Sequence, residues 1–305
     1  MLISVDHGNK QIKLANGRVF TSGIRESDAR PPFGEDVIKY NGKYYVISDK
    51  RIPFMRDKSV DDRFYILTLF AIGFHIEDTG LYTNGTVSVH LLVGLPPAHY
   101  GAQYKHFEEY FKRNGAVKFE FRGKPFSISI TDVTSFPQAF AAAMPVYSYI
   151  SAMPKVMVID IGGFTADYLM IKNGQTDLSV CDSLENGVII LYNQISARVN
   201  SDLDILLEES DIDAILKDKP NGFSSDVKRI VHETAGVFVS DLFGKLRERG
   251  IDLRSGRTVF VGGGSILLRK QIESSGKTAA PIFVDKISAN AKGYELLYRA
   301  SQTRG

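Results

Sequence analysis

Three short segments constrain this chain more than any other feature: D-H-G-N-K-Q-I-K at residues 6–13, D-I-G-G-F-T-A-D at 160–167 and V-G-G-G-S at 261–265. Each comes at the end of an apolar, β-branched run that reads as a strand. Each places glycines where a backbone must turn tightly or lie close to a ligand. Two acidic turns and one glycine turn, spread across most of 305 residues, suit closure around a magnesium–nucleotide complex.

Each segment has a chemistry of its own. In the first, Gly8 and Asn9 form a hairpin turn able to aim backbone N–H groups at phosphate oxygens. Asp6, at the strand end, suits a magnesium ion held through its water shell, and Lys13 on the returning strand reaches back as a point charge. Taken alone, an ordinary β-hairpin with an acidic turn explains these residues more economically. In the second, Asp160 emerges from a buried apolar run, Gly162 and Gly163 let the backbone fold against a phosphate, Thr165 adds a hydroxyl and Asp167 holds the turn together. A glycine-rich hairpin with a capping aspartate is an equal reading. In the third, Gly262, Gly263 and Gly264 join a buried strand to a helix start at Ser265. Three consecutive glycines lose much backbone freedom on folding. A base or ribose lying against the main chain accounts for them better than a tight turn, which needs only one or two. No G-K-[ST] follows, so this is not a P-loop.

Hydrophobic spacing sets the expected elements. Residues 2–5 and 11–15 read as hairpin strands, with Asn16-Gly17 as a further turn before Val19 and Phe20. Residues 22–60 read as a small polar insertion with short strands of its own. Helical spacing marks 61–74 (Phe64, Leu67, Ala71, Phe74) and 100–111 (Tyr100, Tyr104, Phe107, Phe111). Residues 87–95 read as a strand, 117–121 and 126–130 as a strand pair around Arg122-Gly123, and 136–149 as a helix interrupted near Pro145. Strands follow at 157–160, 167–171 and 258–261, and helices at 187–199, 203–216, 225–249, from 266, and at 289–300. Strand, acidic turn, strand, turn, strand opens the chain at 2–20 and recurs at 156–180, which implies two related α/β halves with a boundary near 151–155.

The net charge of +2, without a lysine or arginine run, gives no argument for direct nucleic-acid binding. The single cysteine, Cys181, excludes an intrachain disulfide, fits a reducing interior and reads as a packed thiol. The start M-L-I-S-V-D-H-G lacks the basic and long apolar regions of a signal peptide. No apolar run nears the roughly 20 residues of a membrane helix, so a soluble cytoplasmic protein is expected. His75, His90, His99, His106 and His232 lack metal-ligand spacing, and His7 is expected in an exposed turn.

The order and separation of the three segments resemble the actin-like ATPase superfamily, which includes actin, heat-shock chaperones, sugar kinases and bacterial MreB and ParM; its two phosphate loops and adenosine loop match them. Phe136-Pro137-Gln138-Ala139 resembles the first connection between its lobes, and A-N-A-K-G-Y at 289–294 the second. Y-N-G-K-Y-Y-V-I at 40–47 and V-G-L-P at 93–96 are similar to ParM-like plasmid-segregation actins. The resemblance implies an α/β fold of two RNase H-like lobes with a nucleotide cleft between them. The first lobe is residues 1–150, with a closing helix at about 286–305 returning to it, and the second is 151–285. It also implies roles by position. Asp6, Gly8, Asn9 and Lys13 fall on the first phosphate loop, Asp160, Gly162, Gly163 and Thr165 on the second, Gly262, Gly263, Gly264 and Ser265 on the adenosine loop, and Gly187 near the ribose. ATP or ADP is the implied ligand, with magnesium held by Asp6 and Asp160 mainly through water. Asp6, Asp160 and Gln138 form the implied catalytic set. Gln138 stands where some relatives have glutamate; a neutral amide orients water without taking its proton, so hydrolysis is expected to be slow and driven by positioning and electrostatics. The implied partners are further copies of the chain in a head-to-tail filament and an adaptor linking it to plasmid DNA, with no membrane. A small-molecule, sugar-type kinase, a chaperone and a nucleotide sensor without turnover stay open as alternatives on the same fold.

Overall fold

The structure is a computed structural model and describes residues 1–303. The chain divides into two units, Met1–Met144 with the closing segment from Ser288, and Pro145–Ile287. Each is built on its own sheet.

The first unit holds β1 (Leu2–His7), β2 (Gln11–Leu14), β3 (Val19–Thr21), β4 (Ile24–Ser27), β5 (Val37–Tyr40), β6 (Lys43–Ile47), β7 (Thr86–Leu95), β8 (Val117–Phe121) and β9 (Lys124–Pro137). They lie in the order β3-β2-β1-β7-β9-β8-β5-β6-β4. β1 to β3 form an antiparallel meander, and β7 and β9 add beside β1 in parallel. β1 is buried from Ile3 to His7 without alternation, as a strand covered on both faces must be. Helix α1 (Arg63–Thr79) covers it with Phe64, Tyr65 and Phe70, and α2 (Pro97–Phe111) with Phe107 and Phe111.

Three differences from the sequence reading have local causes. The strands within 22–60 do not stand apart: β5 pairs with β8 through Ile38↔Phe121 and Lys39↔Glu120, so β8 gains a partner and Ile38 is fully buried. Phe136 is in a strand, because the parallel ladder between β7 and β9 runs on to Leu95↔Pro137. The helix expected from 136 begins only at α3 (Phe140–Ala143), followed by a 3-10 turn at Met144–Val146. Asn16-Gly17 does turn the chain from β2 into β3 as expected, but in a form unlike the two-residue turns of Asn41-Gly42 and Arg122-Gly123, where both central φ angles are positive. Only Gly17 is positive there, and Leu14 N–H bonds to the Arg18 carbonyl, closing a longer loop.

The second unit holds α4 (Tyr147–Ile150), β10 (Lys155–Ile161), β11 (Ala166–Lys172), β12 (Gln175–Leu184), α5 (Val188–Leu203), α6 (Glu209–Leu216), α7 (Ser225–Glu248), β13 (Arg257–Val261), α8 (Gly262–Leu267), α9 (Arg269–Ser274) and β14 (Pro281–Phe283). The sheet order is β12-β11-β10-β13-β14, with an antiparallel meander followed by two parallel additions. This repeats the order and sense of β3-β2-β1-β7-β9. Both units therefore carry the same five-strand α/β core, the duplicated RNase H-like arrangement of the actin-like fold. Val227, Ile230, Phe238 and Leu242 give α7 a buried stripe, and the Ser224 hydroxyl caps it by accepting from Val227 N–H at 3.4 Å. The helix expected at 203–216 is two elements. Asp204 adopts a left-handed φ of 54° and ends α5, and Glu208 with Asp211 forms the capping box of α6. Leu206, between them, is 83% exposed and adds nothing to a helical face.

The last helix, α10 (Ala289–Gln302), belongs with the first unit. A Cβ on Gly293 would stand 1.8 Å from the Ala141 carbonyl oxygen, so only glycine permits this approach of α10 to α3. Residues 304 and 305, the end of the expected closing segment, lie outside the described residues. Among the described residues no helix is long and apolar enough to cross a membrane.

Candidate functional site

In an open α/β sheet, ligands bind beyond the carboxyl ends of the parallel strands. In the first unit those ends are His7 of β1, Leu95 of β7 and Pro137 of β9. Asp6 faces Lys13 directly across the β1–β2 hairpin, and Lys13 Nζ lies 3.0 Å from Asp6 Oδ2. The Gln138 carboxamide nitrogen donates to Asp6 Oδ1 at 2.8 Å. Residues 132 positions apart thus share one carboxylate that is 2% exposed. With its nitrogen committed to Asp6, Gln138 presents its carbonyl oxygen, an acceptor suited to orienting water and unable to take its proton. Gly8 and Asn9 form the turn beside Asp6, and Ser22 Oγ donates to the Gly8 carbonyl at 2.6 Å.

The backbone after Gln138 is strained. Gln138 N–H continues the ladder to the Leu95 carbonyl at 2.8 Å. Ala139 then takes φ 59° and ψ −55°, and Phe140 N–H donates back to the Gln138 carbonyl at 2.6 Å. This is a γ-turn with positive φ at its centre, a rare conformation for a residue with a Cβ, costing about 1–3 kcal/mol. Asn290 of α10 holds it, its Oδ1 accepting from Ala139 N–H at 3.0 Å.

Two residues of this half escaped the sequence reading. His7 is not in an exposed turn. It is fully buried, stacked on Phe111 at 5.0 Å between centroids, because β1 extends through it and alternation turns it away from Asp6 into the α1–α2 aromatic cluster. The Thr68 hydroxyl donates to the Phe64 carbonyl, so His7 Nε2 is the donor in its 2.8 Å bond to Thr68 Oγ1. Burial first, and then the Lys58 charge, lower the imidazole pKa to about 3. Lys58 is itself buried and donates to the His7 carbonyl, tying the 48–62 segment to the end of β1. That segment has no periodicity to announce it, and Lys58 stands between Asp57 and Ser59, so nothing in the sequence marks it as buried.

In the second unit the corresponding ends are those of β10 and β13. Asp160 pairs with Asp167 across the β10–β11 hairpin and with Val261 in parallel. Gly262, with φ 86°, follows at once, and a Cβ there would lie 2.1 Å from Asp160 Oδ1. The glycine segment and the second acidic turn therefore touch. All three glycines are within α8 rather than before it, because α8 starts where it must pass over Asp160 and Ile161. Ser265 is buried and its hydroxyl has no hydrogen-bond partner among the described residues.

The D-I-G-G turn is rigid. Gly162 N–H donates to the Thr165 carbonyl at 2.8 Å, Thr165 Oγ1 to Asp167 Oδ2 at 3.4 Å, and Ser183 Oγ to Asp167 Oδ1. The Gly162 and Gly163 carbonyls accept from Val188 and Ile189 N–H at 3.1 and 2.9 Å, so the first donors of α5 are spent on fixing the turn. Gly187 caps α5 and lies against the Gly163 carbonyl. Lys245 of α7 reaches Asn186 Oδ1 at 2.5 Å, beside the same turn.

Thus Asp6, Lys13 and Gln138 come together in the first unit, and Asp160, Gly162, Gly163, Gly187 and Gly262 are neighbours in the second. The donors present, a lysine and glycine turns, match phosphate chemistry. The carboxylates Asp6 and Asp160 match a hydrated magnesium ion, which keeps several waters and needs few protein ligands.

Residues 4–140 match the family model for the N-terminal domain of actin-like proteins, and residues 158–274 that for the C-terminal domain of the archaeal actin homologue MreB-like proteins. No curated protein matches the chain in sequence. Among solved structures, the archaeal actin homologue Ta0583 is 17% identical over 98% of this chain and 99% of its own, with a TM-score of 0.75. The actin-like protein Alp7A is 14% identical over 100% and 98%, with a TM-score of 0.76. A subunit of a 15-stranded ParM filament from Clostridium botulinum is 18% identical over 98% and 99%, with a TM-score of 0.73. At such identities these likenesses speak to the fold, and they agree with the two family matches that between them run through most of the sequence: the chain belongs to the actin-like proteins.

Proposed function

We propose that this protein binds ATP with magnesium, hydrolyses it slowly and polymerises into filaments in the cytoplasm. The observation that carries the reading is the gathering of the candidate residues at the carboxyl ends of the parallel strands in each unit, with Asp6 between Lys13 and Gln138 in one and Asp160 against Gly262 in the other. The residues that hold the nucleotide are Asp6, Gly8, Asn9 and Lys13 at the first phosphate turn, Asp160, Gly162, Gly163 and Thr165 at the second, Gly187 at the ribose, and Gly262, Gly263, Gly264 and Ser265 at the adenosine. Asp6 and Asp160 would hold magnesium through its water, and the ion would supply charge neutralisation at the phosphates. Lys13 screens the phosphates as a point charge, and Gln138 orients the attacking water through its carboxamide oxygen. Asp6 fixes that oxygen's direction by accepting from the other end of the same amide.

An archaeal homologue of the same fold has been solved in complex with ADP, and ParM and Alp12 have been solved as filaments. These support nucleotide binding and self-association here. A role in plasmid or DNA segregation through an adaptor accords with a net charge of only +2. A sugar-type kinase is less well supported, because a transferring base is needed where Gln138 stands and an amide cannot serve as one.

Phosphate release and light scattering, measured together after adding ATP and magnesium, test the proposal. The wild type releases phosphate and scatters at micromolar concentration, while Asp160→Asn loses roughly 100-fold in turnover. Undiminished turnover in that variant removes Asp160 from the mechanism, and no scattering in the wild type ends the filament reading.

A further inference from the structure

The γ-turn at Ala139 requires explanation, since an L-residue at φ 59° does not hold itself there. Its neighbours are arranged to enforce it. Asn290, 7% exposed in the first turn of α10, accepts from Ala139 N–H, the donor at the centre of the turn. Ser4 Oγ, on β1 two residues before Asp6, donates to the Ala291 carbonyl at 2.5 Å and fixes the start of α10 to the strand that carries Asp6. Gly293 then seats α10 on the Ala141 carbonyl. The same γ-turn begins at Gln138, whose backbone is pinned by Leu95 on one side and Phe140 on the other. Rotation about Ala139 would break the Phe140 bond to the Gln138 carbonyl and so remove one of the two constraints on the residue whose side chain reaches Asp6.

We propose that Asn290 is a positioning residue for Gln138: by holding Ala139 in the γ-turn it keeps the Gln138 carboxamide on Asp6 and its oxygen aimed at water. The assignment of a hydrolytic consequence rests on the function proposed above; the geometric link between Asn290 and Gln138 does not. Asn290 enters this link through its bond to Ala139 N–H, so the effect assigned here passes through the backbone of residue 139. Loss of the Asn290 acceptor leaves a strained alanine free to relax, whereas glycine at 139 takes positive φ without that strain.

The test compares wild type, Asn290→Ala, Ala139→Gly, the double variant Ala139→Gly with Asn290→Ala, and Gln138→Ala alone and combined with Asn290→Ala. Two readouts are taken: single-turnover ATP hydrolysis alongside ATP affinity, and the side-chain carboxamide signals of Gln138 in 15N–1H spectra, assigned by their loss in Gln138→Ala. In Asn290→Ala the carboxamide signals move and lose protection from exchange, hydrolysis falls by roughly 10- to 100-fold, and ATP affinity changes less than about 3-fold. Adding Gln138→Ala to Asn290→Ala costs nothing more, because the two act through one group. The glycine double variant recovers the carboxamide signals, and it carries the test by itself if Asn290→Ala does not fold. Unmoved Gln138 signals in Asn290→Ala, or no recovery with glycine at 139, overturn the inference. A wild type that shows the Gln138–Asp6 bond but no hydrolysis refutes the proposed function and leaves the positioning role decided by the spectra.

Discussion

Replacing His7 by phenylalanine should change how stability depends on pH, in a direction and by an amount the structure fixes. His7 is neutral in the fold, its pKa lowered to about 3 by burial and then by Lys58. Its bare nitrogen, Nδ1, is buried and has no partner among the described residues, so protonation has nowhere to be accommodated. In the unfolded chain a histidine titrates near 6.5. Below that value the unfolded state binds a proton that the fold refuses. Stability from this group is therefore fully present above pH 6.5 and is lost as pH falls toward 3, by about 1.4 kcal/mol per pH unit and about 2 kcal/mol by pH 5. Phenylalanine keeps the stacking on Phe111 and loses one hydrogen bond to Thr68, a net cost of about 1 kcal/mol. Thr68 itself stays paired to the Phe64 carbonyl. Urea unfolding at pH 8, 7, 6 and 5 should show the variant about 1 kcal/mol less stable at high pH and more stable than wild type by pH 5. His75 and His90, also lowered by burial, are common to both proteins and cancel in the difference. Parallel stability curves from pH 8 to 5 would refute the claim that His7 is held neutral in the fold.

Two further outcomes follow from single glycines. Gly293→Ala places a methyl 1.8 Å from the Ala141 carbonyl, where only backbone movement can relieve it, and should cost at least about 2 kcal/mol in urea unfolding; a loss under 0.5 kcal/mol would show that α10 does not sit this closely on α3. Gly262→Ala should cost about 1–3 kcal/mol for its φ of 86°, while Gly263→Ala, whose Cβ would meet only Ile287 at 3.6 Å, should leave stability unchanged or raise it by up to about 1 kcal/mol. Equal melting temperatures for the two variants would contradict the described start of α8.

Local chemistry made part of this legible in the sequence. Asp6 and Lys13 are seven residues apart on a hairpin, and Asp160 and Asp167 likewise, so strand alternation and turn glycines suffice to place them. The repeated strand–turn–strand opening pointed to two like halves because both meanders are contiguous in the chain. What the sequence hid is non-local. The bond from Gln138 to Asp6 depends on β9 lying second from β1 with its end in register with Leu95, which no periodicity encodes. His7 was misread because D-H-G-N looks polar throughout, whereas the strand continues one residue past Asp6 and alternation sends the imidazole into aromatic surroundings. Gly262 and Gly264 fell inside a helix against their propensity because close passage over Asp160 and Ile161 outweighs it, while Gly263 between them meets only Ile287. Residues 204–208 read as helix because Ile205, Leu206 and Leu207 are apolar, yet Leu206 faces solvent.

The account is tested most directly by titrating ADP with magnesium into wild type, Lys13→Ala and Gly263→Ala in a calorimeter. Binding to the wild type is the expected result, with affinity reduced at least about 10-fold by either substitution, about 1.4 kcal/mol each. No binding to the wild type, or full affinity in either variant, would contradict it.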